Sequence, residues 1–202
     1  MDRWATFDCY GTLVDWNAGL AGALGGEALL ARYHEVERAV QAESPGLSYR
    51  EVMRESARRL GVEADPAETL PGWPVFGDVR PELETARSRG WRLAILSNSD
   101  RDLIESSIDS IGVPFDLAIV ASEIGSYKPA HTHWEAFAES VGRPPTVHVA
   151  QSHFHDIVPA NELGLTSVWV NRLGEEGEPA PTREIPDLAS LPDTLDELVP
   201  PA

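Results

Sequence analysis

Among its basic residues the chain has one lysine, Lys128, and fifteen arginines. The two are not interchangeable: lysine is a compact ammonium whose pKa moves readily on desolvation, while arginine is a planar fork that stays charged. A position that keeps lysine against this background is a candidate for chemistry that needs a point charge. The plain alternative is the chance survival of one surface lysine. Lys128 lies in Ser126-Tyr127-Lys128-Pro129, just before an expected helix. Asp8 is the second candidate. It follows the apolar run Trp4-Ala5-Thr6-Phe7 and precedes a Gly11-Thr12 turn, which puts one carboxylate at the mouth of a sheet. A lone aspartate there is often only a turn or cap residue. A third polar group, Gln151-Ser152-His153-Phe154-His155-Asp156, follows another apolar run.

The elements that must position these residues are five short apolar runs: Trp4 to Phe7, Arg92 to Leu96, Leu117 to Val120, Val147 to Ala150 and Ser167 to Val170. They are mostly continuous and not strictly alternating, as strands covered on both faces should be. Helical patterns separate the last four. They run from Asp78 to Ser88, from an Asp100 cap to Ile111, from after Pro129 to Gly142, and from Phe154 to Leu163, where Pro159 marks either a bend or the true start. Repeated strand–helix units predict an α/β fold, a Rossmann-like parallel sheet. Ligands bind beyond the carboxyl ends of such strands. That rule selects Asp8 to Thr12, Ser97 to Asp100, Ser122 to Lys128 and Gln151 to Asp156. Residues 16–76 break the alternation with helical patterns at Glu27 to Ala42 and Ser48 to Leu60 and a Pro71-Gly72-Trp73-Pro74 segment. They are too long for a simple crossover, so they read as an inserted small helical cap; an elaborated crossover is the alternative. The expected division is a core of 1–15 and 77–202 with a cap of 16–76. After Gly174 the chain is rich in Glu and Pro and ends in a helix pattern, Leu191 to Leu198.

Bulk properties narrow the function classes. The 202 residues suffice for one main domain with an insertion. A formal net charge of −17 without a basic run argues against nucleic acid and membrane surfaces as partners. An anionic substrate would need local arginine or lysine to draw it in. The single cysteine, Cys9, precludes an internal disulfide and suits a reducing, cytoplasmic setting. The N-terminal residues read as a strand without a signal-peptide pattern, and no apolar run approaches a membrane span.

Taken together, Asp8-Cys9-Tyr10-Gly11-Thr12-Leu13, Ile95-Leu96-Ser97-Asn98, Tyr127-Lys128-Pro129 and Gln151 to Asp156 resemble the motifs of the haloacid dehalogenase superfamily, in the family's order and over almost the whole chain. The resemblance implies a Rossmann-like core with a cap inserted after the first strand. Phosphatases of this superfamily place a second aspartate two residues after the nucleophile, to protonate the leaving alkoxide. This chain has Tyr10, and a phenol is a poor acid at neutral pH, whereas a departing halide needs no proton. A neutral Gln151, where the phosphatases carry an acid, weakens a Mg²⁺ site, although Asp8 and Asp156 remain. The resemblance is therefore to the (S)-2-haloacid dehalogenase branch, which works without a metal or cofactor.

That branch implies the following roles. Asp8 is the nucleophile, attacking C2 of a small 2-haloalkanoate to form an ester that water hydrolyses to a 2-hydroxy acid. Lys128 keeps Asp8 ionised, lowering its pKa. Asp156 orients Lys128 and helps activate water, and Thr12 hydrogen-bonds the nucleophile. Ser97 binds the substrate carboxylate, Asn98 lines the halide pocket, and Tyr10, Ser152 and His153 complete the substrate-binding set. His153 stands where these dehalogenases tend to have asparagine; it could orient the aspartate or water, or, with His155, only cap a helix start. The cap arginine is best matched by Arg32, with Arg38 the competitor. Trp16 could wall the pocket. The partner implied is a small anionic organic molecule, and a homodimer through the cap is possible. A Mg²⁺-dependent phosphatase and a non-catalytic binding protein are the rival readings.

Overall fold

A computed structural model describes residues 2–201, so Met1 and Ala202, the outer bounds expected for the core, lie outside the described residues. Six parallel strands form one sheet: β1 (Arg3–Phe7), β2 (Trp91–Ser97), β3 (Leu117–Val120), β4 (Val147–Ala150), β5 (Ser167–Val170) and β6 (Arg183–Ile185), in the order β3-β2-β1-β4-β5-β6. Five strands match the apolar runs. The sixth, β6, corrects the expected count: it has three residues, of which Arg183 and Glu184 are exposed, so no apolar run announces it. It pairs with β5 through Val168–Arg183 to Val170–Ile185.

The helices are α1 (Trp16–Leu24), α2 (Leu30–Glu43), α3 (Tyr49–Arg59), α4 (Pro66–Thr69), α5 (Val79–Ser88), α6 (Arg101–Ile111), α7 (Ala121–Ile124), α8 (Thr132–Val141), α9 (Val158–Glu162) and α10 (Leu191–Leu198). Alternation along the strands gives the sheet two apolar faces. Ala5, Phe7, Leu93, Val147 and Val149 pack with Val79 and Leu83 of α5 and with Leu191 and Leu195 of α10. Trp4, Ala94, Leu96 and Ile119 pack with Trp134 and Phe137 of α8. Strand order reverses direction between β1 and β4, and the loops after them part there. Such a switch point is where a sheet of this kind opens a crevice at its carboxyl edge.

α1 to α4 and a 3₁₀ turn at Leu70–Gly72 lie between β1 and β2. Their apolar residues form a continuous cluster with Leu103 and Ile104 of α6, in which Trp16, Tyr33, Met53 and Trp73 are buried. Asp15 starts α1 by accepting the Ala18 N–H at 3.0 Å. Gly19 on α1 is required by close approach: a Cβ there would meet the Trp73 ring at 2.2 Å. Ser48 and Glu51 form a capping box at the start of α3.

Two helix starts differ from expectation. Asp100 does not cap α6 with its side chain. Its carboxylate oxygens instead accept the backbone N–H groups of Tyr49 and Arg50, each at 3.0 Å, at the first turn of α3. A free helix start elsewhere in the fold thus outcompeted the local one. The expected helix from Phe154 is a π turn, His153–Ile157, and Pro159 sits in the first turn of α9, marking its true start.

Because Asp100 satisfies two otherwise orphaned donors of α3, Asp100→Ala is expected to cost about 2 kcal/mol in urea denaturation. A loss below about 0.5 kcal/mol would show that water replaces the carboxylate without penalty.

Candidate active site

Asp8 leaves the end of β1 and turns inward because Gly11, at φ +89°, folds the following loop back on itself, with its N–H bonded to the Val14 carbonyl at 2.8 Å. Asp156 comes from the π turn after β4, and Lys128 from the loop before α8. These three meet. The Lys128 ammonium donates to Asp8 Oδ1 at 2.9 Å, to Asp156 Oδ1 at 2.6 Å and to the Leu96 carbonyl at 2.9 Å. An ammonium has three hydrogens, so its donor capacity is filled. Lys128 is 2% exposed, and it is not a surface survivor.

The second oxygen of Asp8 accepts the Thr12 hydroxyl at 3.1 Å, and Thr12 Oγ1 in turn accepts the Gln151 N–H at 2.9 Å. Burial raises the Asp8 pKa above the ordinary 3.8; Lys128 pulls it down, but the neighbouring Asp156 charge adds to the rise. Lys128 thus pulls in the expected direction, but burial outweighs it, and its one charge is shared by two carboxylates. Asp156 has the stronger hold. Burial opposes its ionisation, yet Lys128 and a hydrogen bond from His148 bring it down to about 2. Burial disfavours the charged form of Lys128 too, but Asp156 and Asp8 together raise its pKa.

These groups form the floor of a cleft of about 990 Å³ between the sheet edge and α1–α3. Tyr10 and Ser97 line it, and Tyr10 donates to or accepts from Ser107 Oγ at 3.1 Å and stacks on Tyr49. Burial pushes the Tyr10 phenol further up, making it a still weaker acid. Asn98 also lines the cleft, but its amide clamps the backbone of Lys128, accepting its N–H at 2.6 Å and donating to its carbonyl at 3.0 Å. Ser152 lines the cleft and bonds His155 Nδ1 at 3.0 Å. Burial lowers the His155 pKa to about 4. Trp16 lines the cleft and donates to Tyr49 Oη at 3.0 Å.

One expected residue, Arg32, is not brought to the cleft, and another, His153, lines it but is held away from Asp156. Arg32 is exposed and does not line the cleft; Arg38 does. On α2, Leu30, His34, Glu37, Arg38 and Gln41 form one stripe at helical spacing facing the cleft, whereas Arg32 falls off that stripe beside the buried Tyr33. His153 sits at the rim, but its Nε2 bonds the Pro179 carbonyl at 3.0 Å and its ring packs edge-on against Trp169. It does not orient Asp156.

Three residues escaped the sequence reading. His148, buried in β4, is the partner of Asp156, with Nε2 3.0 Å from Oδ1. Its signal is a polar residue inside an apolar run. Arg172, just after β5, donates to the Thr12 carbonyl at 3.1 Å and to Asp78 at 3.0 Å, bracing the Asp8 loop. Glu37 lines the cleft, and burial pushes its carboxyl up to about 7. Cys9, His131 and His133 have other partners or none of consequence: Cys9 is buried packing, His131 bonds Glu162, and His133 bonds the Ser97 carbonyl.

The donor set does not fit Mg²⁺, which wants several hard oxygens in near-octahedral array. Gln151 offers only an amide, which bonds Glu175, and Asp8 and Asp156 both turn an oxygen to the same ammonium. Among the described residues no group of three or more His, Cys, Asp or Glu side chains is placed to hold a metal ion. No helix there is long and apolar enough to cross a membrane.

Residues 3–164 match the model of the haloacid dehalogenase-like hydrolase family. The chain is 25% identical over 212 residues to an (S)-2-haloacid dehalogenase of Pseudomonas sp. (strain YL), covering 92% of this chain and 90% of that one. It is 27% identical over 179 residues to a phosphoserine phosphatase of Thermus thermophilus, covering 82% of this chain and 72% of that one. Its fold matches that of an L-2-haloacid dehalogenase from Xanthobacter autotrophicus with chloropropionic acid covalently bound, at a TM-score of 0.78 and 21% identity, over 96% of this chain and 98% of that one.

Lys128→Met leaves two buried carboxyls without their cation. The expected loss at neutral pH is about 3–5 kcal/mol in urea denaturation. Without Lys128 both carboxyls bind protons more tightly folded than unfolded, so the variant regains stability relative to wild type as pH falls. An unchanged gap between neutral and mildly acidic pH would contradict the shared-cation account.

Proposed function

Because the chain belongs to the haloacid dehalogenase-like hydrolase family, we propose that it hydrolyses the carbon–halogen bond of a small 2-haloalkanoate to a 2-hydroxy acid through an ester on Asp8, without a metal. One observation carries this reading. The residue two after Asp8 is a phenol made less acidic by burial, a poor group to protonate an alkoxide expelled as Asp8 attacks, whereas a halide leaves without a proton. The (S)-2-haloacid dehalogenase of similar sequence supports the choice of leaving group.

The steps follow from the site. An Asp8 oxygen attacks C2, the C–halogen bond breaks, and halide leaves with the bonding pair. Water then attacks the ester carbonyl carbon of Asp8 while Asp156 takes one of its protons. The bond from that carbon to the alkyl oxygen breaks, the alkoxide takes the proton from Asp156, and the restored Asp8 carboxyl releases the second proton to solvent. Lys128 and Thr12 hold Asp8 in line, and Lys128 offsets part of its charge. Ser97, Tyr10 and Ser152 bind the substrate. Asn98 sets the Lys128 backbone and presents the rest of its amide to the cleft. Arg38, in place of Arg32, supplies the cation that meets the halide. In this reading residues 16–76 are a cap closing over a core formed by the rest of the chain.

A phosphatase is the second reading, favoured by the likeness to phosphoserine phosphatase. Halide release from a panel of 2-chloro-, 2-bromo- and fluorocarboxylates, with EDTA present, separates the two. Release is expected from wild type and should fall by roughly 10⁴-fold or more in Asp8→Asn. No release from any substrate, or turnover of phosphate esters that EDTA abolishes, would overturn the proposal.

The raised pKa of Asp8 gives a second expectation. The nucleophile must be ionised, so kcat/KM should fall as pH drops through that pKa, with the acid limb lying above the ordinary carboxyl value of 3.8. A flat profile down to that value would remove Asp8 from the role.

A further inference from the structure

Thr6 and His148 face each other across the pairing of β1 and β4, and both are fully buried. Neither reaches the cleft. Thr6 Oγ1 lies 2.9 Å from His148 Nδ1, nearer than its 3.4 Å to the Val147 carbonyl. His148 Nε2 lies 3.0 Å from Asp156 Oδ1. An ionised carboxylate only accepts, so Nε2 carries the hydrogen, and in the neutral imidazole this leaves Nδ1 to accept from the Thr6 hydroxyl. Trp134 packs edge-on against the ring at 5.2 Å between centroids and holds its plane.

The consequence falls on Asp156. Its Oδ1 receives two donors, Lys128 Nζ at 2.6 Å and His148 Nε2 at 3.0 Å. Its Oδ2 is buried and has no partner among the described residues. A buried carboxylate oxygen without a donor is unfavourable, and such a group calls for an explanation. Asp8, by contrast, takes its bonds from Lys128 and Thr12 and none from His148.

We propose that Thr6 and His148 are a positioning pair that pins Asp156 through Oδ1 and leaves Oδ2 to take a proton from the water that hydrolyses the Asp8 ester. This rests on the reading that Asp8 carries the ester. The pair serves the second step, in which water's oxygen bonds to the ester carbon and its proton goes to Oδ2, and not the first, in which Asp8 displaces halide. The other groups acting on Asp156 are Lys128, Asp8 on the same ammonium, His133 of α8 and His155 of its own turn.

The test compares wild type with His148→Leu, His148→Gln and Thr6→Val, each first checked for native circular dichroism. Rapid-mixing halide release measures ester formation, turnover measures hydrolysis, and intact-protein mass detects the ester. His148→Leu should keep its release burst while kcat falls roughly 10- to 100-fold, part of the ~10²–10⁴ that a positioned base supplies, and the ester should accumulate. His148→Gln, which retains a donor, should recover turnover, and Thr6→Val should lie between. A burst that falls in proportion to kcat, or a kcat that does not fall, overturns the proposal. A second readout needs no substrate. The Asp156 carboxyl, followed by carbon NMR and held at about 2 in the wild type, should titrate higher in His148→Leu; an unchanged titration also overturns the proposal. If wild type forms neither halide nor ester while that titration still moves, the dehalogenase reading fails and the hold of His148 on Asp156 stands.

Discussion

One buried ammonium organises this protein. Lys128 spends its three hydrogens on Asp8, on Asp156 and on the backbone at the end of β2. It therefore ties together the loops after β1 and β4 and the strand between β1 and β3. Burying such a charge is tolerable only when every donor is matched and opposite charge lies close. An arginine could not substitute, because a planar fork cannot direct three hydrogens to acceptors arranged around a point. The rest of the carboxyl edge follows from this requirement. Asn98 clamps the Lys128 backbone, Thr12 and Gln151 hold the far oxygen of Asp8, and Arg172 fixes the loop between them.

The same constraint divides labour between two chemically identical side chains. One cation between two carboxylates leaves an unneutralised negative charge, and the surroundings decide where it costs most. His148 adds a second donor to Asp156 and brings it low; Asp8 has a hydroxyl instead and lies higher. Environment, more than residue type, sets the two carboxyls apart. The opposite wall is fastened independently. The Asp100 carboxylate takes the start of α3, and the Tyr127 hydroxyl donates to the Leu47 carbonyl at 2.8 Å. The helical segment and the sheet edge thus meet through polar ties that include these and through a continuous apolar cluster, with the cleft between them.

What could be read from the sequence follows from what produces a periodic signal. Nearly continuous apolar runs marked β1 to β5, because strands covered on both faces are mostly apolar. β6 is an edge strand with two charged exposed residues and left no such mark. Asp8, Lys128 and Asp156 were legible because each sits where a strand or loop meets the carboxyl edge, and the topology then had to bring them together. The failures share a cause: they turn on where a side chain points. Arg32 and Arg38 differ only in which face of α2 they occupy. Asp100 abandoned its own helix for a donor pair about fifty residues away in sequence. His153 and His148 are both near the fourth motif, yet the one inside the strand, which looked like core, holds the carboxylate, while the one in the loop turns to the Pro179 carbonyl.

The rarity of lysine has a practical meaning for anyone handling this protein. Acylating and cross-linking reagents that seek side-chain amines find a single target, and that target is 2% exposed, locked between two acids. A folded molecule should resist them at that position, and reaction there requires the floor of the cleft to come apart. The lone amine is thus an internal reporter: the rate at which it becomes modifiable measures how often the three acceptors let go.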